Sequence, residues 1–280
     1  MKNKHFCAIF YFLLSALAAI MVFSRPVPAS DGFLETVPNQ TVRLVTYNIR
    51  ACRGLDDSVG LDPHWSGDVL SNIEPDVAGI QEVDRNNSRS NGEDQMEELS
   101  KITGLSPVFA KSIEFAGGEY GIGLLTKLPI ISVQHKPLPG AEEGRVLLEV
   151  EFADFVFFNT HLSLTSESRA ESAEIIKSEL CQYRKPVILV GDMNVASYEE
   201  LIELFGETWA VLSPNEPSFP ADNPTERLDY IMIADPTQTI PATSPVWSRA
   251  VMKQGVIETN ASDHRPVFVD LDLALIKSAN

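Results

Sequence analysis

Apolar and polar residues alternate along Val42–Tyr47, the pattern of a half-buried strand. Pro186–Leu189 differs: no polar residue interrupts it, and Val190 extends it, as in a strand buried on both faces. A polar, Gly- and Asp-rich stretch from Gly54 to Gly67 predicts a loop, and Val69, Leu70 and Ile73 then share a helical face before Pro75. Asp76–Ile80 predicts a second strand, ending in Gln81-Glu82-Val83-Asp84. Asn91 is placed to cap a helix bearing Met96, Leu99 and Ile102, closed by Gly104. Strands follow between Val108 and Val133, broken at Gly117-Gly118 and Leu128-Pro129. Val146–Phe152 and Phe155–Phe158 predict a hairpin around Ala153-Asp154. Ser168–Glu171 has the form of a capping box, opening a helix whose Ala173, Ile176 and Leu180 share a face. Ser197 is placed to cap a short helix through Leu204, and Leu228–Ile233 and Val267–Leu273 read as strands. Pro214–Pro224 and Pro236–Pro245 read as loops. Strands outnumber helices and many are hairpin-linked, which predicts stacked sheets with helices outside them.

Composition adds a compartment and removes one class of partner. Of 280 residues, 44% are apolar, enough for a sizeable core. Lys2 and Lys4 precede an apolar run from Phe6 to Phe23, and Val27-Pro28-Ala29 offers small residues at the spacing of a cleavage site. Residues 1–29 therefore read as a secretory signal peptide, with an uncleaved anchor as the alternative. Residues 30–280 show no repeat, low-complexity tract or linker and read as a single domain. The net charge of -17 argues against broad affinity for nucleic acid, while leaving local or metal-mediated contacts open. Outside the leader the cysteines are Cys52 and Cys181, expected to be unpaired and mostly buried.

The polar residues that end the apolar strands carry the chemistry. Asn48, Glu82, His161, Asp192 with Asn194, and Asp263 with His264 each stand at one end of an apolar run, and Asp229 lies just inside another. Singly, each has a bland role as turn, cap or solvated strand end. If the strand ends share one edge of a sheet, they converge in one cleft. No serine or cysteine nucleophile motif, phosphate-binding Gly-rich loop or zinc-type Cys/His cluster is present. Hard oxygen donors with two histidines suit Mg²⁺ or Mn²⁺ and metal-assisted hydrolysis of a phosphate ester.

These residues resemble one family closely. Thr46-Tyr47-Asn48, Gln81–Asp84, Asn159–Leu162, Gly191–Asn194, Arg227–Ile231 and Ser262–Pro266 are similar, in order, to the motifs of the endonuclease/exonuclease/phosphatase superfamily, the DNase I-like phosphoesterases. Gly118–Gly123 and Leu125–Ile130 look like that family's central hairpin. The resemblance implies a four-layer α/β/β/α sandwich: two packed, mostly antiparallel sheets flanked by helices. It implies that Glu82 is the principal metal ligand, with Asn48 and Asp263 beside it. Asp192 would orient or deprotonate the attacking water, and Asn194 would hold the phosphate. His264, its tautomer fixed by Asp229, would stabilise the phosphoryl oxygens. His161 would protonate the leaving oxygen or steady the phosphate. Arg85, Asn159 and Tyr120 complete the set as candidates for substrate contact.

The expectation is an exported, monomeric, Mg²⁺-dependent phosphodiesterase or phosphomonoesterase acting on a small or lipid-linked phosphate ester. Alternatives are a secreted DNase, a sphingomyelinase-like lipid phosphodiesterase, and a non-catalytic binding protein on the same fold. The histidine in Asn159-Thr160-His161, the acidic charge and the leader count against a DNA-repair role. Arg50, Arg53, Arg85, Arg89 and Lys127 could contact substrate phosphate from the loops, a solvated charge being the expectation for any one taken singly. His64 and His135 are expected at the surface and Trp209 in the core.

Overall fold

Neighbouring residues of the central strands face different hydrophobic clusters, and that alternation defines the layers. The computed structural model describes residues 41–55, 60–195 and 197–278, which lie within one compact unit, Asn39–Asn280. The expected leader lies outside the described residues. Along the chain come β1 (Thr41–Asn48), α1 (Pro63–Ile73), β2 (Val77–Arg85), α2 (Gln95–Thr103), β3 (Ser106–Phe115) and β4 (Gly118–Thr126). Then follow β5 (Ser132–Leu138), β6 (Arg145–Glu151), β7 (Val156–His161), α3 (Ser166–Leu180), β8 (Val187–Asp192) and α4 (Tyr198–Phe205). The chain closes with β9 (Ala210–Val211), β10 (Asp229–Ala234), α5 (Pro245–Ala250), β11 (Val251–Val256), β12 (Val267–Asp272) and α6 (Leu273–Lys277).

The strands form two six-stranded sheets, ordered β11-β12-β1-β2-β4-β3 and β5-β6-β7-β8-β10-β9. Pairing is antiparallel except for β1 with β2 and β7 with β8. Leu44, Val77, Phe157, Ile188, Val190 and Ile231 belong to the cluster between the sheets. Their neighbours Val45 and Ala78 face Leu70 and Leu99 of α1 and α2. Val156, Phe158, Val187 and Leu189 face Ala173, Ile176 and Leu201 of α3 and α4. Three clusters between four layers give the α/β/β/α sandwich of the DNase I-like fold, as expected. Gly79 allows the sheets to approach: a Cβ there would lie 2.5 Å from Val190 Cγ2 and 2.9 Å from Asn159 Oδ1.

Several elements depart from expectation for local reasons. The stretch read as a loop to Gly67 turns helical at Pro63, because Asp62 accepts from the His64 amide and proline suits the first helical turn. Asp94, not Asn91, caps α2, accepting from the Met96 and Glu97 amides, while Asn91 takes a left-handed turn position (φ 54°). Helix α3 starts at Ser166, so Ser168 lies inside its first turn instead of capping it. β1 is buried on both faces from Leu44 onward, so its alternation divides two cores and not core from solvent. Helix α5 and strand β11, absent from the expected elements, follow the Pro236–Pro245 loop. Neither Cys52 nor Cys181 is in a disulfide; Cys52 is buried and Cys181 partly exposed. His64 and His135 are exposed and Trp209 is buried, as expected.

Candidate active site

One cross-strand row supplies half of the site. Parallel pairing sets His161 beside Asp192, and antiparallel pairing sets Asp192 beside Asp229. β8 can run this close to β7 because residue 191 is glycine: at φ 148°, a Cβ there would lie 2.0 Å from the Thr160 carbonyl oxygen. The Asp192 carboxylate is 3.5 Å from His161 Nε2 and 3.6 Å from His264 Nε2. Its other oxygen accepts from the Asn194 amide at 3.0 Å.

His264 reaches this row from the loop between β11 and β12. Its Nδ1 lies 2.9 Å from Asp229 Oδ2, and that oxygen also accepts from Ser218 Oγ at 2.6 Å. Phe219 packs against the imidazole with ring centroids 4.8 Å apart and the planes tilted by 43°. The Ala221 amide donates to the Asp263 carbonyl, and the Arg265 amide to the Ser218 carbonyl. Ser218-Phe219-Pro220 thus forms the second half of the clamp on His264. In the sequence it reads only as part of a Pro-rich loop. A serine-aromatic pair a few residues before Arg227-Leu228-Asp229 was the available signal.

The other sheet supplies Glu82. Ile80 pairs with Gly123 and Val83 with Gly121, so Gln81 and Glu82 bulge opposite Ile122. Glu82 is therefore mid-strand and not at a strand end as expected. Its left-handed backbone (φ 59°) re-aims the carboxylate into the cleft, as bulges near functional sites do. Asn159 is the counterpart of this bulge. Its amide nitrogen donates to the carbonyls of Ile80 (3.1 Å) and Gly123 (2.8 Å), and its oxygen accepts from Gln81 Nε2 (2.7 Å). Asn159 is fully buried between the sheets and does not line the cleft, so the expectation of substrate contact is corrected to a support for Glu82.

Asn48 joins the halves, its Nδ2 donating to Glu82 at 3.0 Å and to Asp192 at 3.1 Å. The backbone beyond it is strained: Arg50, Ala51 and Cys52 are consecutive left-handed residues (φ 49°, 52° and 59°), each costing about 1–2 kcal/mol. The turn is held in part by the Arg50 amide donating to Asn48 Oδ1, and it sets Arg50 Nε 3.3 Å from Asp263. Asn194 and Tyr120 also line the cleft. Arg85 does not: it pairs with Asp94 and Glu119 beside the Phe109 ring. Arg89 pairs bidentately with buried Asp84 beneath Tyr120, and Lys127 pairs with Asp76.

Burial sets the charges. Desolvation drives the His161 pKa well below its ordinary value, and Arg145 and His264 push the same way, so this imidazole is neutral. Desolvation also lowers His264, but Asp229 and Asp192 outweigh it and raise the group to about 10, leaving an imidazolium. Desolvation raises the Asp192 carboxyl, with the charge of His264 opposing.

Two groupings have donors for a cation. Glu82 and Asp263 are partly exposed carboxylates in the same cleft, a donor set that fits a hard divalent ion keeping several waters. Asp192, Asp229 and His264 bring ligand atoms within 4.8 Å of one another. There, however, both imidazole nitrogens already face carboxylates, so an ion would have to replace the Nε2 proton of the His264 imidazolium. The first grouping leaves room for an ion's waters; the second is buried.

The sequence model of the Endonuclease/Exonuclease/phosphatase family matches residues 45–264. A search of curated proteins finds no match. Among solved structures, a mannosyl-6-phosphatase of Bacteroides thetaiotaomicron superposes with TM-score 0.63 at 18% identity, covering 82% of this chain and 99% of that one. A family member from Beutenbergia cavernae gives TM-score 0.62 at 20% identity over 83% of this chain and 71% of that one. D. rerio TDP2 complexed with single-strand DNA product gives 0.60 at 15% identity over 82% and 98%. At these identities the likeness establishes the fold.

Proposed function

The chain belongs to the endonuclease/exonuclease/phosphatase family, and from that membership we propose that it is an exported, divalent-metal-dependent hydrolase of small phosphate esters. The observation that carries this is the row His161–Asp192–Asp229–His264, joined through Asn48 to Glu82 of the opposite sheet. Glu82, with Asp263 and Asn48 beside it, would hold Mg²⁺ or Mn²⁺, which when bound polarises the phosphoryl oxygens. Asp192 takes the proton of the attacking water, and its raised pKa suits a base. His264 brings an imidazolium to the charge developing on phosphorus oxygens as the bond to the leaving oxygen breaks. Neutral His161 and Asn194 steady the phosphate by hydrogen bonding, the second of the two roles expected for His161.

The cleft favours a small substrate over nucleic acid. Glu142, Glu143 and Glu226 line it, and its arginines Arg145 and Arg169 are paired with Glu142, Glu143 and Glu200. A polyanion would meet net repulsion there. The mannosyl-6-phosphatase among the structural neighbours makes sugar phosphates a first choice to assay. Export rests on the basic and apolar start of the chain.

The test is hydrolysis by purified protein of p-nitrophenyl phosphate, bis-p-nitrophenyl phosphate, hexose phosphates and an oligonucleotide, with Mg²⁺ or Mn²⁺. Turnover of a small ester that EDTA abolishes is expected. No turnover of any ester with either metal overturns the reading, and preference for the oligonucleotide replaces it with the nuclease. N-terminal sequencing of exported protein should begin just after Ala29.

A further inference from the structure

Leu164 is the anomaly of the cleft. It is 65% exposed, yet it sits on a loop that is tied down on every side. Its own amide donates to Glu142 Oε1 at 3.0 Å. The preceding Ser163 donates its hydroxyl to Glu142 Oε2 at 2.7 Å, and its carbonyl accepts from Arg169 Nη1 at 3.1 Å. Glu142 is itself held by Arg145 Nη2 at 2.7 Å, and Arg169 by Glu200 on α4. The two arginines are each 6% exposed. Burial disfavours the charge on Glu142, but the bonds from Ser163, Arg145 and the Leu164 amide outweigh it and bring its pKa down to about 2. The anchor therefore stays ionised through the physiological range.

A mobile surface leucine needs no explanation, but one fixed at the mouth of a reaction cleft does. Leu164 follows His161 by three residues and lines the cleft with it. Val195, Leu228 and Phe219 line the same cleft, so an apolar surface adjoins the phosphate-handling residues. Resting on the phosphoesterase reading, we propose that Leu164 is a specificity-determining contact for an uncharged leaving group with an apolar face, and that Glu142 is its positioning residue. The substrates selected are aryl esters or ring-bearing polyol esters that present C–H surface. Short, fully hydrated esters such as glycerol phosphate do not cover the leucine. Ordering is supplied in advance by the Glu142 and Arg169 bonds, so little conformational entropy is lost when the leaving group seats.

The test compares kcat/KM for p-nitrophenyl phosphate and glycerol 3-phosphate. In Leu164→Ser the aryl-to-glyceryl ratio should fall about tenfold, through KM for the aryl ester, the lower end of what an apolar pocket contact supplies. Glu142→Ala should reproduce the fall with Leu164 intact. Glu142→Gln, whose carbonyl oxygen can still accept from the Leu164 amide while its amide nitrogen donates to Ser163 Oγ, should restore most of it. An unchanged ratio in Leu164→Ser overturns the contact, and an equal loss of kcat on both esters reassigns the loop to the chemistry. If wild type turns over neither ester, the phosphoesterase reading fails separately. Calorimetric binding of phenylphosphonate against methylphosphonate then decides: a phenyl preference lost in Leu164→Ser supports the contact, and no preference overturns it.

Discussion

The two halves of the site are built on opposite plans. On one sheet, His161, Asp192 and Asp229 are adjacent by register, buried and on regular strands. On the other, Glu82 sits in a bulge, Asn48 precedes three left-handed residues, and Asp263 comes from a loop. On the proposed reading the regular half moves protons in a desolvated setting, where position and dielectric set pKa values. The irregular half presents partly exposed carboxylates, as an ion that retains water requires. Regular backbone serves the group whose environment must be invariant. Strained backbone serves the group that must be aimed off the strand.

The sharpest way to break this division is Asp192→Asn. It should lower kcat by about 10³-fold, the middle of the range for general base catalysis, while leaving Mg²⁺ or Mn²⁺ affinity near wild type by calorimetry. Loss of metal binding in that variant would merge the halves. Gly191→Ala attacks the regular half through its register. The contact with Thr160 and the φ of 148° should cost about 3 kcal/mol or more in urea unfolding. Glu82→Gln addresses the irregular half: metal affinity should fall about 100-fold or more with the fold intact by circular dichroism.

The smallest effect concerns pH. His161 has a folded pKa below the unfolded value, so the unfolded chain takes up a proton that the folded chain refuses as pH falls below about 6.5. Wild type should therefore lose stability relative to His161→Asn, by up to about 1.4 kcal/mol per pH unit below that point. Parallel stability curves between pH 7 and pH 5 would show that His161 is not held neutral by burial.

The regular half was more legible in the sequence for a physical reason. An apolar run followed by His161 or Asp192 marks a buried strand end, and period-2 patterning carries register with it. Glu82 reads as a strand end because Gln81, Asp84 and Arg85 surround it, and a run of polar residues hides a strand that continues through a bulge. Asn159 was assigned to substrate for want of its partner: the carbonyls it satisfies belong to Ile80 and Gly123, far away in sequence. Glu142 and Arg145 went unnoticed because charges beside Gly140 and Gly144 look like any solvated turn. Their function depends on Ser163 and Leu164, which arrive on the loop after β7.

Asn159 carries a consequence for how the protein opens. A bulge on one sheet is sealed by an amide from the other, so the sheets cannot separate without stranding two carbonyls. Local fraying around Glu82 is thereby coupled to parting of the whole sandwich. Backbone amides near the bulge should exchange with deuterium only through global unfolding, at the rate of the central strands and not of an irregular loop. A bulged, left-handed stretch of backbone in the cleft would then be among its slowest to exchange.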